Sequence, residues 1–488
     1  MTKFGNRLEA LISRNGGNKY RLSKDIGIDR VTLYRFVSGE RVPSRELIDK
    51  VCDALKMSQS EEKELRELYN IAKIGEDVYE RRVLVKDLIS GINAIRMEQR
   101  PAHNRKSVVV GGIDGAVKAV FGSYNVNMLT RDVLDDMAYN ASEKRIWTNV
   151  PFGYTFMFDH LRQLYFEMNG TIEIQHAIAF ARDAGSHMNP NINLQSLAGM
   201  LPLVFCEGAG YQAGYYYPDS MNCDSILMPY YLLTEERLLM ISADYKTAML
   251  VNDSGALRTA RSAFDALRMT PLFSYITNPE DMLGTQLALW KRGKGSDTVC
   301  VEARPCLMGN FTEEMIETYA RKEMANRDLV VQAMLESVNY AKSNQIHSFF
   351  TVSGLEDFVS AGYLSSAPPP YALPLSMADR LHFLTSFRSE IAADKSNSRV
   401  VNPSAISVTL NTIALIFINS AVFFSIMSDN GMRMCYTDEP SIYSAFSDFY
   451  LSLHNTEWVY TKQETLDILD QCIDRVGSYS ADLKHKCK

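Results

Sequence analysis

The sequence predicts a small all-α N-terminal domain, residues 1–72, followed by a large α/β body built of two related units. Three observations predict it. Charge divides the chain: residues 1–57 carry 12 Lys or Arg against 7 Asp or Glu, a net of +5, and the total of −7 then leaves −12 for positions 58–488. Apolar residues recur at helical spacing up to about residue 95, whereas beyond residue 106 strand-like and helix-like runs alternate. Finally, a shift of 185 positions lays part of the body onto itself. The length of 488 residues accommodates about three domains. With 46% hydrophobic and 22% charged residues, long disordered or low-complexity regions are excluded.

The N-terminal elements follow from spacing. Phe4, Leu8, Leu11 and Ile12 share one face of a first helix over residues 4–14. Leu22 and Ile26, four apart, define a short second helix, and Gly27 permits the sharp turn that ends it. Asp29 can cap a third helix over 30–37, with Leu33 and Phe36 inward and Thr32 and Arg35 outward. Gly39 and Pro43 close it, and Leu47, Ile48, Val51 and Leu55 belong to a fourth. A basic head on an acidic body points to nucleic-acid contact at the N-terminus.

Through Leu22, Ser23, Gly27, Ile28, Leu33, Gly39 and Pro43, residues 4–70 resemble the helix-turn-helix of the Xre/Cro family of bacterial and phage repressors. Ser23 stands where that family usually has Ala, Lys19 where it often has Gln, and Val37 where it often has Glu, while the turn glycine and core positions are kept. The resemblance implies double-stranded DNA as partner, with the second helix of the motif in the major groove and the first crossing the phosphate backbone. Arg30, Val31, Thr32, Tyr34 and Arg35 would then face DNA, Lys19 would lie near a phosphate, and Arg41 on the following loop would contact another. The alternative for these residues is a set of solvated charges on a small helical domain. A homodimer on paired half-sites is the arrangement expected of such repressors.

A connector, 73–105, continues with helical spacing broken near Gly75, which predicts two helices over 60–95. The second serves as a dimer helix, as a rod carrying the reader, or packs on its own body. The basic stretch 99–107 marks the boundary.

In the body, expected units span 106–290 and 300–480. The 185-residue shift aligns 234–264 with 419–449, matching Ile241 with Ile426, Asp244 with Asp429, Met249 with Met434, Asp253 with Asp438, Ala260 with Ala445, Ser262 with Ser447 and Phe264 with Phe449. The alternative is chance identity within a recurrent strand-turn-strand-helix pattern. Such a pair weakly resembles the phospholipase D superfamily, including catalytically dead versions that serve as sensor domains in transcription regulators. That family's chemistry needs His and Lys two apart in each half, and neither half has the pair. No catalytic residue is therefore expected.

The remaining features carry weaker signals. Tyr215, Tyr216 and Tyr217 could stack on a ligand. His176, within an apolar run, reads as a satisfied core residue, and GAGYQAG at 208–214 as a flexible loop, since it departs from the phosphate-binding glycine spacing. The uncharged stretch 404–428 is long enough to span a membrane, but Ser, Thr and Asn recur in it, with a turn expected at Asn419-Ser420, so buried strands are expected. The eight cysteines form no CxxC pair and have no His at ligand spacing, so no metal and no cofactor are expected. The opening residues lack a signal-like apolar run, which predicts reduced thiols and a cytoplasmic location.

Together these readings predict a sequence-specific DNA-binding transcriptional regulator with a large sensing or dimerising body, answering to a small-molecule or peptide effector. The alternatives are an enzyme acting on phosphodiesters with a DNA-targeting head, and a regulator whose body binds a peptide or protein partner.

Overall fold

Capping and turn chemistry set the N-terminal helices α1 (Lys3–Arg14), α2 (Lys19–Asp25), α3 (Arg30–Ser38), α4 (Arg45–Leu55) and α5 (Gln59–Ile74). The Thr2 hydroxyl accepts from the Gly5 N–H at 3.1 Å, and Asn18, Asp29 and Ser44 cap the next three helices in the same way. Gly27, at φ 75°, ends the second helix: its N–H reaches Lys24 O at 3.2 Å and the Ile28 N–H reaches Ser23 O at 2.9 Å. Phe4, Leu8, Leu33, Phe36, Ile48 and Leu65 form one core, each such burial worth roughly 1.5–3 kcal/mol. Close approach of α1 to α3 requires Gly5, because a Cβ there would meet Val37 O at 2.1 Å.

The structure, a computed structural model, describes residues 2–94, 117–168, 170–182, 191–205, 210–218, 227–276, 285, 288, 297–324, 326–369, 371–410, 412–417, 421–428 and 431–486. Two compact units are distinguished, Met1–Leu84 and Val85–Lys488, with the division inside α6 (Glu76–Ala94). Gly75, at φ 92°, separates α5 from α6, giving the two helices expected of the connector. In the second unit, Val85, Leu88, Ile89 and Ile92 of α6 are buried, and the Ser407 N–H donates to the Ser90 hydroxyl at 3.1 Å. This part of the connector therefore packs on its own body. The expected boundary stretch 99–107 lies outside the described residues.

The body holds two sheets. The first orders its strands β1 (Val117–Phe121), β2 (Arg145–Thr148), β3 (Glu173–Ala179), β4 (Tyr211–Tyr216), β5 (Tyr230–Leu233), β6 (Leu238–Ile241), β7 (Thr247–Val251) and β8 (Thr270–Pro271) as β1-β7-β6-β5-β2-β3-β4-β8. The second takes β9 (Ser274–Ile276), β10 (Thr298–Glu302), β11 (Ile346–Phe350), β12 (Arg399–Val400), β13 (Thr412–Phe417), β14 (Ala421–Ser428) and β15 (Gly431–Thr437), in the order β9-β15-β14-β13-β10-β11-β12. Reading β1 as β9, β2 as β10 and so on to β7 as β15, the two orders coincide. The three parallel strands of each sheet are joined by helices, as parallel neighbours require: α7 (Ser123–Asn140) precedes β2, and α8 (Thr155–Glu167) and α9 (Ile192–Val204) link β2, β3 and β4.

The repeat is exact in register where the sequence matched. Leu238 pairs with Val251 and Ile241 with Ala248; 185 residues on, Phe423 pairs with Tyr436 and Ile426 with Arg433. The helix after each hairpin, α10 (Ser254–Asp265) and its later counterpart Pro440–Leu453, keeps the offset, and Phe264 and Phe449 are both buried. The offset fails one strand earlier, since Leu415 pairs with Phe423 where a strict repeat of Tyr230 with Ile241 would require Ile426. Asp429 lies outside the described residues.

The uncharged stretch forms β13 and β14, and among the described residues no helix is long and apolar enough to cross a membrane. Asn419 and Ser420, where a turn was expected, lie outside the described residues, between those two antiparallel strands. Residues 211–214, expected in a flexible loop, instead belong to β4: Tyr211 and Ala213 alternate inward while the backbone pairs with β3, and this pairing outweighs the glycines. Gly208 and Ala209 are not among the described residues.

Candidate nucleic-acid interface

The reader's core positions leave α3 with a consistent outward face. Leu33, Phe36 and Val37 are buried, and Arg30, Val31, Tyr34 and Arg35 are exposed, Val31 at 61% and Tyr34 at 42%. An exposed valine beside arginines is the composition expected where a helix meets both base edges and thymine methyls. Thr32 is half-buried and doubly tied to Asp29, its N–H donating at 2.8 Å and its hydroxyl at 2.6 Å, which holds the Asp29 carboxyl below its ordinary range. Tyr34 organises the face. Arg30 donates to its hydroxyl at 3.2 Å with its guanidinium 5.4 Å from the ring, and Lys19 Nζ, from α2, sits 4.8 Å from the same ring. The hydrogen bond from Arg30 lowers the Tyr34 hydroxyl from its ordinary value.

The other two predicted contacts differ from one another. Lys19 is half-buried and ion-paired with Glu9 at 2.6 Å, so contact with a phosphate exchanges one anionic partner for another. Arg41 is exposed on the loop after α3, and its N–H donates to Arg35 O at 3.1 Å, fixing where that loop begins. Arg35 itself lies 4.0 Å from Glu40 and keeps 57% of its side chain exposed.

In the body, the three tyrosines close β4, and the last of them reaches the second unit. Tyr216 packs beside Trp147 and Phe264, while Tyr215 and Tyr217 share the other face. Tyr215 stacks on Phe180 at 5.3 Å, Arg182 lies 5.3 Å from the Tyr217 ring, and the Tyr217 hydroxyl donates to Glu439. Glu439 is buried and caps α15 (Pro440–Leu453), accepting from the Ile442 N–H at 2.9 Å and the Ser441 hydroxyl at 2.6 Å. Asn193 completes the bridge, donating to Ser441 Oγ and to Ala181 O, each at 2.9 Å. His176 is buried with both ring nitrogens engaged, Nε2 to Val150 O at 2.8 Å and Nδ1 to the Tyr211 hydroxyl at 3.0 Å. A carbonyl can only accept, so Nε2 carries a proton. Burial pushes its pKa down to about 4.

Compared with known families, residues 7–61 match the Cro/C1-type HTH DNA-binding domain. The reader is a Cro/C1-type domain. No curated protein matches the sequence. Among solved structures the chain is similar to TrmBL2, an archaeal chromatin protein whose structure shows a novel mode of DNA binding, at 13% identity over 46% of this chain and 67% of that one, TM-score 0.21. It is also similar to phosphatidylserine synthase of Haemophilus influenzae Rd KW20, at 9% identity over 76% of this chain and 95% of that one, TM-score 0.25. A third likeness is to polyphosphate kinase from Porphyromonas gingivalis, at 10% identity over 74% and 55%, TM-score 0.23.

Within the Cro/C1-type domain, the fold brings Lys19, Arg30 and Tyr34 into one cluster and leaves Val31, Arg35 and Arg41 accessible beside it. Sequence reasoning passed over Tyr20, which is 55% exposed on α2 with Lys24 Nζ 4.9 Å from its ring. The signal was present: with Leu22 and Ile26 inward, an aromatic at position 20 has no core to enter.

Proposed function

We propose that this protein is a sequence-specific transcriptional regulator that reads double-stranded DNA with α3 and is governed by its two-unit body. The observation that carries the reading is the outward face Arg30, Val31, Tyr34 and Arg35 on the second motif helix of a Cro/C1-type domain. An exposed arginine there can give two parallel hydrogen bonds to guanine, and Val31 can meet a thymine methyl. The protein acts as a homodimer inside the cell, and its body takes a small-molecule or peptide effector. The ring cluster of Phe180, Tyr215 and Tyr217 supports an effector role for the seam between the units, because a ligand inserted there competes with the Tyr217 bond to Glu439.

The body is proposed to have no enzymatic activity. Phosphodiester chemistry of the phospholipase D kind requires His and Lys two apart, and the sequence contains no such pair. Hydrolysis that survives purification and disappears on changing one body residue would replace this reading with that of a DNA-targeted enzyme. For DNA binding, the full-length protein is used to select sites from a random duplex pool. An enriched sequence that competes with bulk DNA at physiological salt is expected; failure to shift any duplex even at low salt would remove the proposal.

A further inference from the structure

We infer that Cys300, Glu302 and Cys306 form a binding site for one zinc ion. Sequence spacing gives no hint of it, since two cysteines six apart with a glutamate between them match no familiar ligand pattern. The fold makes the juxtaposition. Cys300 and Glu302 stand two apart on β10 and so project from the same face of the sheet. The chain leaves the strand, turns, and is brought back by the Cys306 N–H, which donates to Ser348 Oγ at 3.0 Å. Ser348 is the residue paired with Cys300 across the parallel ladder, so Cys306 returns beside Cys300. The two sulfurs and the carboxylate oxygen all lie within 4.8 Å of one another. Ligand atoms about 2.0–2.3 Å from a tetrahedral zinc sit at comparable separations, so little movement is needed.

Burial turns proximity into a site. Cys300 and Glu302 are buried and Cys306 is half-buried, so three acidic groups share a volume from which water is largely excluded. Glu302 accepts hydrogen bonds from Ser365 and Cys300, and the Arg304 guanidinium, itself paired with Asp357 at 2.6 Å, lies near enough to favour its charge. Three acidic groups this close cannot all ionise in a shielded volume without a further cation, and a divalent ion supplies that charge. Two thiolates with one carboxylate select zinc over magnesium or calcium, which prefer oxygen ligands. Three protein ligands leave a fourth position for water or for a ligand of the body.

The test uses the full-length reduced chain, stripped with a chelator and dialysed against zinc or cobalt(II). One zinc per chain is expected, with a cobalt spectrum showing thiolate-to-metal charge transfer and the intensity of a tetrahedral site. Zinc should protect Cys306 from alkylation, read by peptide mass spectrometry on the unaltered protein. Glu302→Gln and Cys306→Ser should each weaken zinc by more than the roughly 10–100-fold that follows loss of an outer partner. Should a variant fail to fold, the cobalt spectrum and the protection pattern of the unaltered chain decide. Absence of stoichiometric zinc, a spectrum without thiolate character, unprotected Cys306, unchanged affinity in folded variants, or a Cys300–Cys306 disulfide in the isolated protein would each overturn the assignment.

Discussion

Arg35 and Lys19 carry the same charge and are set up for different tasks. Arg35 is largely exposed, with Glu40 no closer than 4.0 Å, so its guanidinium is free to reach a base edge. Arg35→Ala should then remove about 1–3 kcal/mol of discrimination at one base pair. Thermal unfolding should stay within about 0.5 kcal/mol, because no buried contact is lost. Competition between specific and random duplexes reads the first, calorimetry the second, and equal loss on both duplexes would reassign Arg35 to the backbone. Lys19→Ala should instead weaken every duplex alike and lower the salt slope by about 1, as loss of one phosphate contact does. A second residue-scale prediction concerns His176. Its native pKa near 4 lies below the ordinary 6.5, so the unfolded chain binds the extra proton between those values. Stability from this residue is complete above pH 6.5 and is lost as pH falls toward 4, on the order of 3 kcal/mol in all. Burial also lowers His347 and His454, which act in the same direction, whereas burial raises Glu302 to about 7 and that group acts in the opposite one. Urea unfolding at pH 7.5 and pH 5 should therefore show a smaller pH difference for His176→Phe than for the unaltered protein, although the variant is less stable at both. An unchanged pH difference would place the proton uptake elsewhere.

At the scale of elements, what was legible in the sequence depended on whether a feature is set by neighbours in the chain. The Asp29 cap, the Gly27 turn and the Gly75 break were readable because each is fixed within a few residues. The β6–β7 hairpin with α10 and the β14–β15 hairpin with α15 were readable because a two-stranded turn fixes its own register, and the 185-residue offset survives there. The rest of the repeat was not, because the crossovers differ in length. One helix joins β2 to β3, whereas α11 (Glu313–Tyr319) and α12 (Arg327–Ser343) join β10 to β11. Likewise α9 joins β3 to β4, and α13 (Val352–Ala361) with α14 (Met377–Ala392) join β11 to β12. No single offset can align elements separated by such insertions. The seam between units was illegible for a related reason: Tyr217 and Glu439 meet across 222 residues of sequence. Their contact carries a prediction. Tyr217→Phe removes a donor from a buried carboxylate while keeping the ring, and should cost about 1–3 kcal/mol. Because the bond joins the two units, amide hydrogen exchange should rise at α15 and at the end of β4 together; a rise in one alone would mean that the bond does not couple them.

For the whole molecule, charge and interface size set the terms on which DNA is bound. One reader offers +5 while the rest of the chain carries −12, so attraction to phosphate is confined to a small part of a molecule that duplex DNA otherwise repels. A single module of this size buries roughly 600–1,000 Å² of protein surface on DNA, which is little for tight specific binding at physiological salt. Two copies on half-sites about 34 Å apart double both the interface and the local positive charge. The connector offers little for that pairing: Val85, Leu88, Ile89 and Ile92 are already buried within the chain, leaving the second half of α6 no free apolar stripe for a coiled coil. Dimer contacts are therefore expected from the body, and an effector that shifts those surfaces changes half-site spacing and hence affinity. Light scattering should give the mass of two chains, and footprinting should protect two inverted half-sites one helical turn apart. Replacing Val85 and Ile89 by Ala should destabilise the body without selectively dissociating the dimer, whereas selective dissociation would return the connector to the interface. A monomer that protects a single half-site at working concentration would remove the dimer altogether.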